Sequence, residues 1–274
     1  MISPSSRKDL VERLRYTFIT ADYAEIDALI AGLREKANFE ELCEEFFYGC
    51  RIDPKGYLIP TGFFDDLDGS SSLLYAMFEL LGHAPDTFLL KHRVTRVKFI
   101  RSGLSGNFRL PRGLFRIPNL EVLIIRGIGI SRLPDAVSEA KGLRLLDFAR
   151  NRISRFPDEI LKLPRLSALN FSYNRLETLP KGLGRLRKLR VLNLRGNALT
   201  ELPPEWHRLQ SLRSLDLSMN RISAVPDSLR TLSSLEKLRL AYNDLPAEEE
   251  ARWERDADRG FGDERRQGSL GIGC

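Results

Sequence analysis

A leucine recurs at a fixed interval through the centre of this chain. The interval is 23 residues, and it separates Leu120, Leu143, Leu166, Leu189, Leu212 and Leu235. Each leucine opens the same template: Leu-x-x-Leu-x-Leu, then an asparagine, a Leu-Pro step and two more leucines, with related apolar residues in some copies. A period of this length predicts a stack of similar units, because one unit alone cannot bury its apolar face.

The copy that begins at Leu166 shows how the template is expected to fold. The two-residue interval between Leu169 and Phe171 places both side chains on one face of a short strand. Leu183 and Leu186, three residues apart, fit a short helical turn that faces inward. The asparagine between these two parts can donate and accept hydrogen bonds at once, so it can satisfy backbone groups that the turn leaves open. We therefore predict a buried asparagine ladder formed by Asn151, Asn174, Asn197, Asn220 and Asn243.

Both ends of the array are irregular. Residues 94–119 match the template, but their return half comes three residues late, which indicates a degenerate first repeat with an insertion. We expect truncation of Leu110 in this repeat to destabilise less than truncation of a central leucine. The next copy has Ile128 at the asparagine position, which puts the ladder in doubt at its N-terminal end. After the last copy, Pro246 and three glutamates are typical of a helix start, and this helix could cover the open end.

The template resembles the leucine-rich repeats, in the 23-residue intracellular form of Ras-pathway scaffolds and their plant relatives. It is also similar to the repeats of many bacterial proteins, including some effectors. The resemblance covers residues 94–245 and implies an α/β solenoid, a curved horseshoe with parallel strands on its concave face. It further implies a role in holding another protein, without naming that protein.

The segments that flank the repeats differ from them in charge and pattern. Residues 1–93 favour a small acidic all-α domain, with helices near 7–19, from Asp22, near 39–47 and after Ser70. In the second helix the residues expected to face inward are Ile26, Leu29, Ile30 and Leu33. This domain is either a cap on the first repeat or an independent docking module. Residues 246–274 are expected to form the capping helix and a flexible tail.

Side chains between the strand leucines point out of the concave face and form columns across the repeats. Arginine and tyrosine are enriched at protein-binding hot spots, whereas the Asp/Asn column could instead hydrogen-bond along the strands. The candidate partner-binding residues are Arg126, Arg150, Arg152, Asn170, Tyr173, Arg175, Asn193, Arg195, Asp216, Met219, Arg221, Arg239 and Tyr242. A charge run, Arg185, Arg187, Lys188 and Arg190, lies mostly on the outer return and is better explained as a solvated face.

Charge and composition narrow the class of partner. The net charge is −6 over residues 1–93, +15 over 94–245 and −3 over 246–274. The basic array favours a protein partner with an acidic surface. Nucleic acid is not favoured, because the basic residues are scattered among acids without aromatic stacking platforms. No apolar run approaches the roughly 20 residues of a membrane helix, and three cysteines make no disulfide framework. These features predict a cytoplasmic monomer that does not enter a membrane.

The sequence offers no catalytic set. Its three histidines lie on unrelated segments, and neither metal-ligand spacing nor a phosphate-binding loop occurs. We therefore expect no enzyme activity, no metal and no cofactor. The function predicted is a protein–protein interaction scaffold that binds its partner on the concave face. The alternative is a bacterial effector or host-targeted factor that uses the repeats to recognise its target.

Overall fold

The computed structural model describes residues 13, 14, 17, 22–35, 39, 43, 51–52, 58–59, 75–77, 79–80, 96–100, 108–249 and 251–253. Within these residues, nine strands form one sheet in their order along the chain. The strands are β1 (Arg51–Ile52), β2 (Leu58–Ile59), β3 (Arg96–Ile100), β4 (Val122–Arg126), β5 (Leu145–Asp147), β6 (Ala168–Asn170), β7 (Val191–Asn193), β8 (Ser214–Asp216) and β9 (Lys237–Arg239). Strands β3 to β9 are parallel, so the α/β solenoid predicted from the repeat is confirmed.

The register between strands follows the period of the sequence. Leu123 of β4 pairs with Leu146 of β5, and Leu146 pairs with Leu169 of β6, each 23 residues further on. Between β3 and β4 the separation is 26 residues, because Val97 pairs with Leu123. All five residues of β3 nevertheless pair with β4, so the three additional residues of this repeat lie in the connection between the two strands and do not interrupt the sheet.

Each return segment contains a short 3₁₀ helix. The helices are Gly113–Arg116, Asp135–Glu139, Asp158–Lys162, Lys181–Arg185, Pro204–Arg208 and Asp227–Thr231. Five of the six begin directly after a proline in extended conformation, as Pro180 shows with φ −68° and ψ 140°. Leu183 and Leu186 are buried, which confirms the inward-facing turn.

The leucines of the strands and the 3₁₀ helices meet in one continuous core. Leu192, in the centre of the array, is 1% exposed, and Leu110, in the irregular first repeat, is also 1% exposed. Burial therefore gives no reason for Leu110 to contribute less than Leu192, and the expectation of a weaker site at Leu110 loses its physical basis.

Asparagine side chains connect each coil to the one before it. Asn174 Oδ1 accepts a hydrogen bond from Ile153 N at 3.0 Å, and its Nδ2 donates to Phe148 O at 2.9 Å and Phe171 O at 3.0 Å. The same pattern recurs at Asn151, Asn197, Asn220 and Asn243. In the coil that lacks an asparagine, the N–H of Ile128 donates to Asn151 Oδ1 at 3.2 Å. The first asparagine therefore also satisfies the coil in which the residue is missing.

Asp22 is the N-cap of helix α1 (Tyr23–Arg34), as predicted. Asp22 Oδ1 accepts from Glu25 N at 2.9 Å, and Glu25 Oε2 accepts from Asp22 N at 2.9 Å, which completes a capping box. Ile26, Ile30 and Leu33 are buried in the common core. The expectation that Leu29 faces inward was wrong: its side chain is 36% exposed.

The N-terminal residues pack directly on the first repeat. Strands β1 and β2 pair antiparallel, and β2 pairs in parallel with β3, so this hairpin extends the sheet. Glu79 Oε2 accepts a hydrogen bond from Gly113 N at 2.8 Å. A Cβ at Gly113 would lie 2.9 Å from the Glu79 carbonyl oxygen, so the close approach requires glycine. The hairpin was not predicted from the sequence, which favoured a loop between two helices in this segment.

The other end of the array is covered by residues 247–249 and 251–253, which are helical. Trp253 is buried in the core, with the Arg230 guanidinium 4.2 Å from its ring centroid. Glu249 Oε1 accepts a hydrogen bond from Val225 N at 3.1 Å. Among the described residues, no helix has the length and apolar character needed to cross a membrane.

Candidate functional site

The sheet surface opposite the 3₁₀ helices, here called the inner face, is formed by four positions of each coil. In the coil of β6 these positions are Ala168, Asn170, Ser172 and Tyr173, because the intervening Leu169 and Phe171 are buried in the core. Corresponding residues of adjacent coils form four columns that run across the strands, numbered first to fourth in the order of these positions along the chain. The properties of the face therefore depend on four columns, which differ in chemistry.

The first column is apolar in its central part and was not predicted from the sequence. It contains Val122, Leu145, Ala168 and Val191, and it becomes polar at Ser214 and Lys237. Val191 is 42% exposed. Alternation along a strand could have revealed this column, because the residues before and after a buried strand leucine must share the opposite face.

The second column is the Asp/Asn stripe, whose oxygens are used within the chain. Asn170 Oδ1 accepts from Ser172 N at 2.9 Å and Asn193 Oδ1 accepts from Arg195 N at 3.1 Å. Asp216 Oδ1 accepts from Ser218 N at 3.0 Å. Each bond spans two residues and fixes the turn that follows the strand. Of the two explanations left open by the sequence, this geometry supports hydrogen bonding along the strands for this stripe.

Carboxylates of the same stripe hold two of the candidate arginines. Arg126 Nε donates to Asp147 Oδ2 at 3.0 Å, and Arg239 Nη1 lies 3.5 Å from Asp216 Oδ2. The hydrogen bond to buried Asp147 raises the pKa of the Arg126 guanidinium above its ordinary value. Asn170 Nδ2 also donates to Asp147 Oδ2, at 3.0 Å. Arg126 and Arg239 are therefore engaged with the frame of the inner face.

The fourth column has left-handed backbone in every described coil from β4 to β9. Its φ angles are +72° at Gly127, +60° at Arg150, +55° at Tyr173, +67° at Gly196, +57° at Met219 and +60° at Tyr242. Positive φ is uncommon for residues other than glycine. Two glycines in one column were the available signal for this conformation. Tyr173, Met219 and Tyr242 are 40%, 41% and 71% exposed.

Arg150, Tyr173 and Arg195 form a cluster in the middle of the inner face. Arg195 Nε donates to the Tyr173 hydroxyl at 2.9 Å, and this bond raises the pKa of Arg195. The guanidinium carbons of Arg150 and Arg195 lie 5.4 and 6.0 Å from the Tyr173 ring centroid. A Cβ at Gly196 would lie 2.8 Å from Tyr173 Cδ1, so the ring lies directly on the backbone of the next coil. The ring is therefore held on three sides.

The remaining candidate arginines lie at the edge of the inner face. Arg152, Arg175 and Arg221 each follow a ladder asparagine, and Arg175 and Arg221 are exposed. Their backbone N–H groups donate to carbonyls of the preceding coil at 2.7 to 2.9 Å. They border the face without belonging to the central cluster.

Exposed large apolar side chains concentrate on the inner face. Among the described residues they are Leu29, Tyr173, Val191, Met219 and Tyr242, and four of these five belong to its first and fourth columns. The described residues contain no group of three or more His, Cys, Asp or Glu side chains that could hold a metal ion. The inner face therefore offers apolar, aromatic and guanidinium contacts.

Comparison with known proteins identifies the repeat. The leucine rich repeat family model matches residues 118–176, 142–199 and 187–245. A solved leucine-rich-repeat protein of Leptospira interrogans is 24% identical with a TM-score of 0.50 over 60% of this chain, and the match spans 48% of that protein. The leucine-rich-repeat ectodomain of a membrane receptor kinase from Arabidopsis thaliana, solved with Casparian strip integrity factor 2, is 32% identical with a TM-score of 0.49. That match covers 59% of this chain and 20% of the receptor chain. No curated protein matches the chain significantly.

Proposed function

Residues 118–245 of this chain are leucine-rich repeats, and from that premise we propose that the protein is a non-enzymatic scaffold that binds another protein on its inner face. Leucine-rich repeats support a protein-interaction role in general, since stacked repeats create extended concave binding surfaces. The observation that carries the choice of face is the concentration of four of the five exposed large apolar side chains there. Exposed apolar groups that cluster in this way mark interaction sites.

The central cluster is suited to anchor a partner because it is already ordered. Tyr173 lies on Gly196 and accepts a hydrogen bond from Arg195, so its ring has little rotational freedom to lose on binding. Tyrosine and arginine are among the residue types that contribute most to binding energy. We therefore assign the main contacts to Arg150, Tyr173 and Arg195 among the candidate residues, with Met219 and Tyr242 beside them.

The charge of the cluster favours a partner with acidic groups. Arg150 and Arg195 contact the Tyr173 ring, and neither forms an ion pair with a carboxylate of the described residues. An incoming carboxylate could therefore pair with them without breaking an existing ion pair. The cytoplasmic location and monomeric state expected from the sequence belong to this proposal, and size-exclusion chromatography with light scattering tests the latter.

The test compares two surface variants as baits in an affinity capture from native cell extract. The inner-face variant is Tyr173→Asn with Met219→Asn, because asparagine tolerates the left-handed backbone while removing the apolar side chain. The control is Leu29→Ser, which removes an exposed large apolar side chain from α1. Circular dichroism and urea titration establish that both variants are folded.

We expect a protein that is retained by the wild type and by the Leu29→Ser variant but lost with the inner-face variant. Direct titration of that purified protein should then show about a tenfold or greater loss of affinity, since hot-spot truncations cost about 2 kcal/mol or more. The same set of proteins on all three baits would show that the inner face is not the binding site.

A further inference from the structure

Four basic side chains converge on a depression at the N-terminal ends of the central parallel strands. The depression has a volume of about 480 Å³ and is lined by Arg144, Arg165, Ser167, Lys188, Arg190 and Ser211. These residues come from consecutive coils and lie one or three residues before strands β5, β6, β7 and β8. We call the four basic residues, Arg144, Arg165, Lys188 and Arg190, the basic edge.

Carboxylates flank this row and leave its centre unpaired. On one side Glu121 lies 4.0 Å from Arg144, the first residue of the row, and on the other side Glu236 lies 3.3 Å from Arg213, an arginine beyond the row. Between them Arg165, Lys188 and Arg190 are exposed, and no carboxylate of the described residues lies within ion-pair distance of any of the three. Neighbouring parallel strands are about 4.8 Å apart, so these three positive charges lie close enough to repel one another.

An anion that fills the depression relieves this repulsion and gains charge-assisted hydrogen bonds from guanidinium and ammonium groups. The row crosses three coils, a distance of about 10 Å, which equals about three residues of extended peptide. We propose that the basic edge binds a short acidic segment of the partner protein, in which the carboxylates on one side of the extended chain face Arg165, Lys188 and Arg190. This inference rests on the proposed function and names the chemistry of the partner.

The two flanking glutamates favour a short peptide over a nucleic acid. A nucleic-acid backbone that follows the row would extend past the unpaired centre to Glu121 and Glu236, which already pair with Arg144 and Arg213, so its next phosphates would find no free cation there. The depression is also lined by no aromatic side chain on which a base could stack. A short acidic peptide needs only the unpaired centre and no stacking platform, so it meets neither difficulty.

The probe is a fluorescein-labelled hexaglutamate peptide, titrated with the full chain at low ionic strength and followed by fluorescence anisotropy. The edge variant is Arg165→Gln with Arg190→Gln, which keeps most of each side-chain stem. The matched control is Arg132→Gln with Arg155→Gln, which makes the same change in net charge at two exposed arginines of other segments. A labelled oligothymidylate of twelve nucleotides is titrated in parallel.

We expect the edge variant to weaken peptide binding about tenfold or more and the control to change it less than about twofold, because local pairing outweighs the general field at close range. Equal weakening by both variants, or no binding by the wild type, would overturn the proposal. Tighter binding of the oligothymidylate that is lost with the edge variant would overturn it in favour of a nucleic acid.

The same titration separates this inference from the proposed function. The Tyr173→Asn with Met219→Asn variant should bind hexaglutamate as the wild type does, because both substitutions lie at the opposite ends of the strands from the basic edge. If the edge fails here while the inner-face variant still loses a captured partner, only the acidic-segment proposal falls. If hexaglutamate binds at the edge while the inner-face capture fails, only the site of the proposed function falls.

Discussion

Replacing Asn174 by alanine removes the second of the five members of the asparagine ladder. Asn174 is buried, accepts from Ile153 N at 3.0 Å, and donates to the carbonyls of Phe148 and Phe171. Each of these carbonyls keeps a hydrogen bond from the neighbouring ladder asparagine, at 2.9 and 3.0 Å. The Ile153 N–H, by contrast, donates to no other ladder asparagine. The substitution therefore strands one buried donor, while both carbonyls stay satisfied.

A stranded buried N–H costs about 1–3 kcal/mol, so the free energy of unfolding should fall by that amount. Urea titration followed by circular dichroism measures it. The matched control is Asn243→Ala at the end of the array. Asn243 accepts from Ile222 N at 3.0 Å and donates to Leu217 O at 3.0 Å and to Leu240 O at 2.6 Å, the last of which no other ladder asparagine reaches, but Asn243 is only half-buried. Water can replace the amide there, so we expect a smaller loss than at Asn174.

Asn174→Asp separates the accepting role from the donating role. In the wild type, Asn174 Nδ2 lies 2.9 Å from Phe148 O and 3.0 Å from Phe171 O. The new carboxylate can still accept from Ile153 N, but its second oxygen would face these two carbonyl oxygens. Burial and this repulsion raise the pKa of the aspartate in the folded state. Relative to wild type at each pH, the variant should be most stable below about pH 4 and lose stability as the pH rises through the raised pKa.

At pH 7 we expect Asn174→Asp to be less stable than Asn174→Ala. Two results would refute the reasoning. One is an alanine variant within about 0.5 kcal/mol of the wild type, since that is the scale of an ordinary surface substitution. The other is an aspartate variant that is more stable than the alanine variant at neutral pH.

Three further comparisons use the same urea titration. Gly196→Ala should lower the free energy of unfolding by about 1–3 kcal/mol, because φ is +67° and the new Cβ would crowd Tyr173. Gly32→Ala on α1 meets no atom within 4 Å and should raise the free energy of unfolding. Equal effects of the two substitutions would contradict this reasoning. Asp22→Ala should cost about 1 kcal/mol through loss of the capping box, and no loss would show that α1 is held by packing alone. Leu110→Ala and Leu192→Ala should each cost about 2–5 kcal/mol, and a much smaller loss at Leu110 would restore the idea of a weaker first repeat.

The solenoid could be predicted because its determinants are local and repeated. Six leucines at one interval specify the strand register, and the same alternation within each copy specifies which side chains enter the core. The asparagine positions follow from the same template. Helix α1 was predictable for a different local reason, since Asp22 and Glu25 have the spacing of a capping box.

The features that were missed depend on contacts between coils. The left-handed backbone at Tyr173 is tied to a turn held by Asn170, and the position of its ring depends on Gly196 in the next coil. The hairpin of β1 and β2 exists as part of a sheet that continues into β3, and two-residue strands carry little periodic signal of their own. The basic edge combines residues that are 46 positions apart along the chain, from Arg144 to Arg190.

Two sets of hydrogen-bonded residues in each coil hold the fold, so few positions of the inner face remain that can determine which partner binds. The asparagine ladder fixes one side of each turn, and the Asp/Asn stripe fixes the other, so both sets must keep their identity for the coils to stack. Substitution at these positions changes stability first. The fourth column requires a residue that tolerates positive φ, and in this chain it holds Gly127, Arg150, Tyr173, Gly196, Met219 and Tyr242, of which Gly196 also leaves room for the Tyr173 ring. This column can change in sequence while the frame stays intact, so specificity for one partner over another is expected to depend on it most.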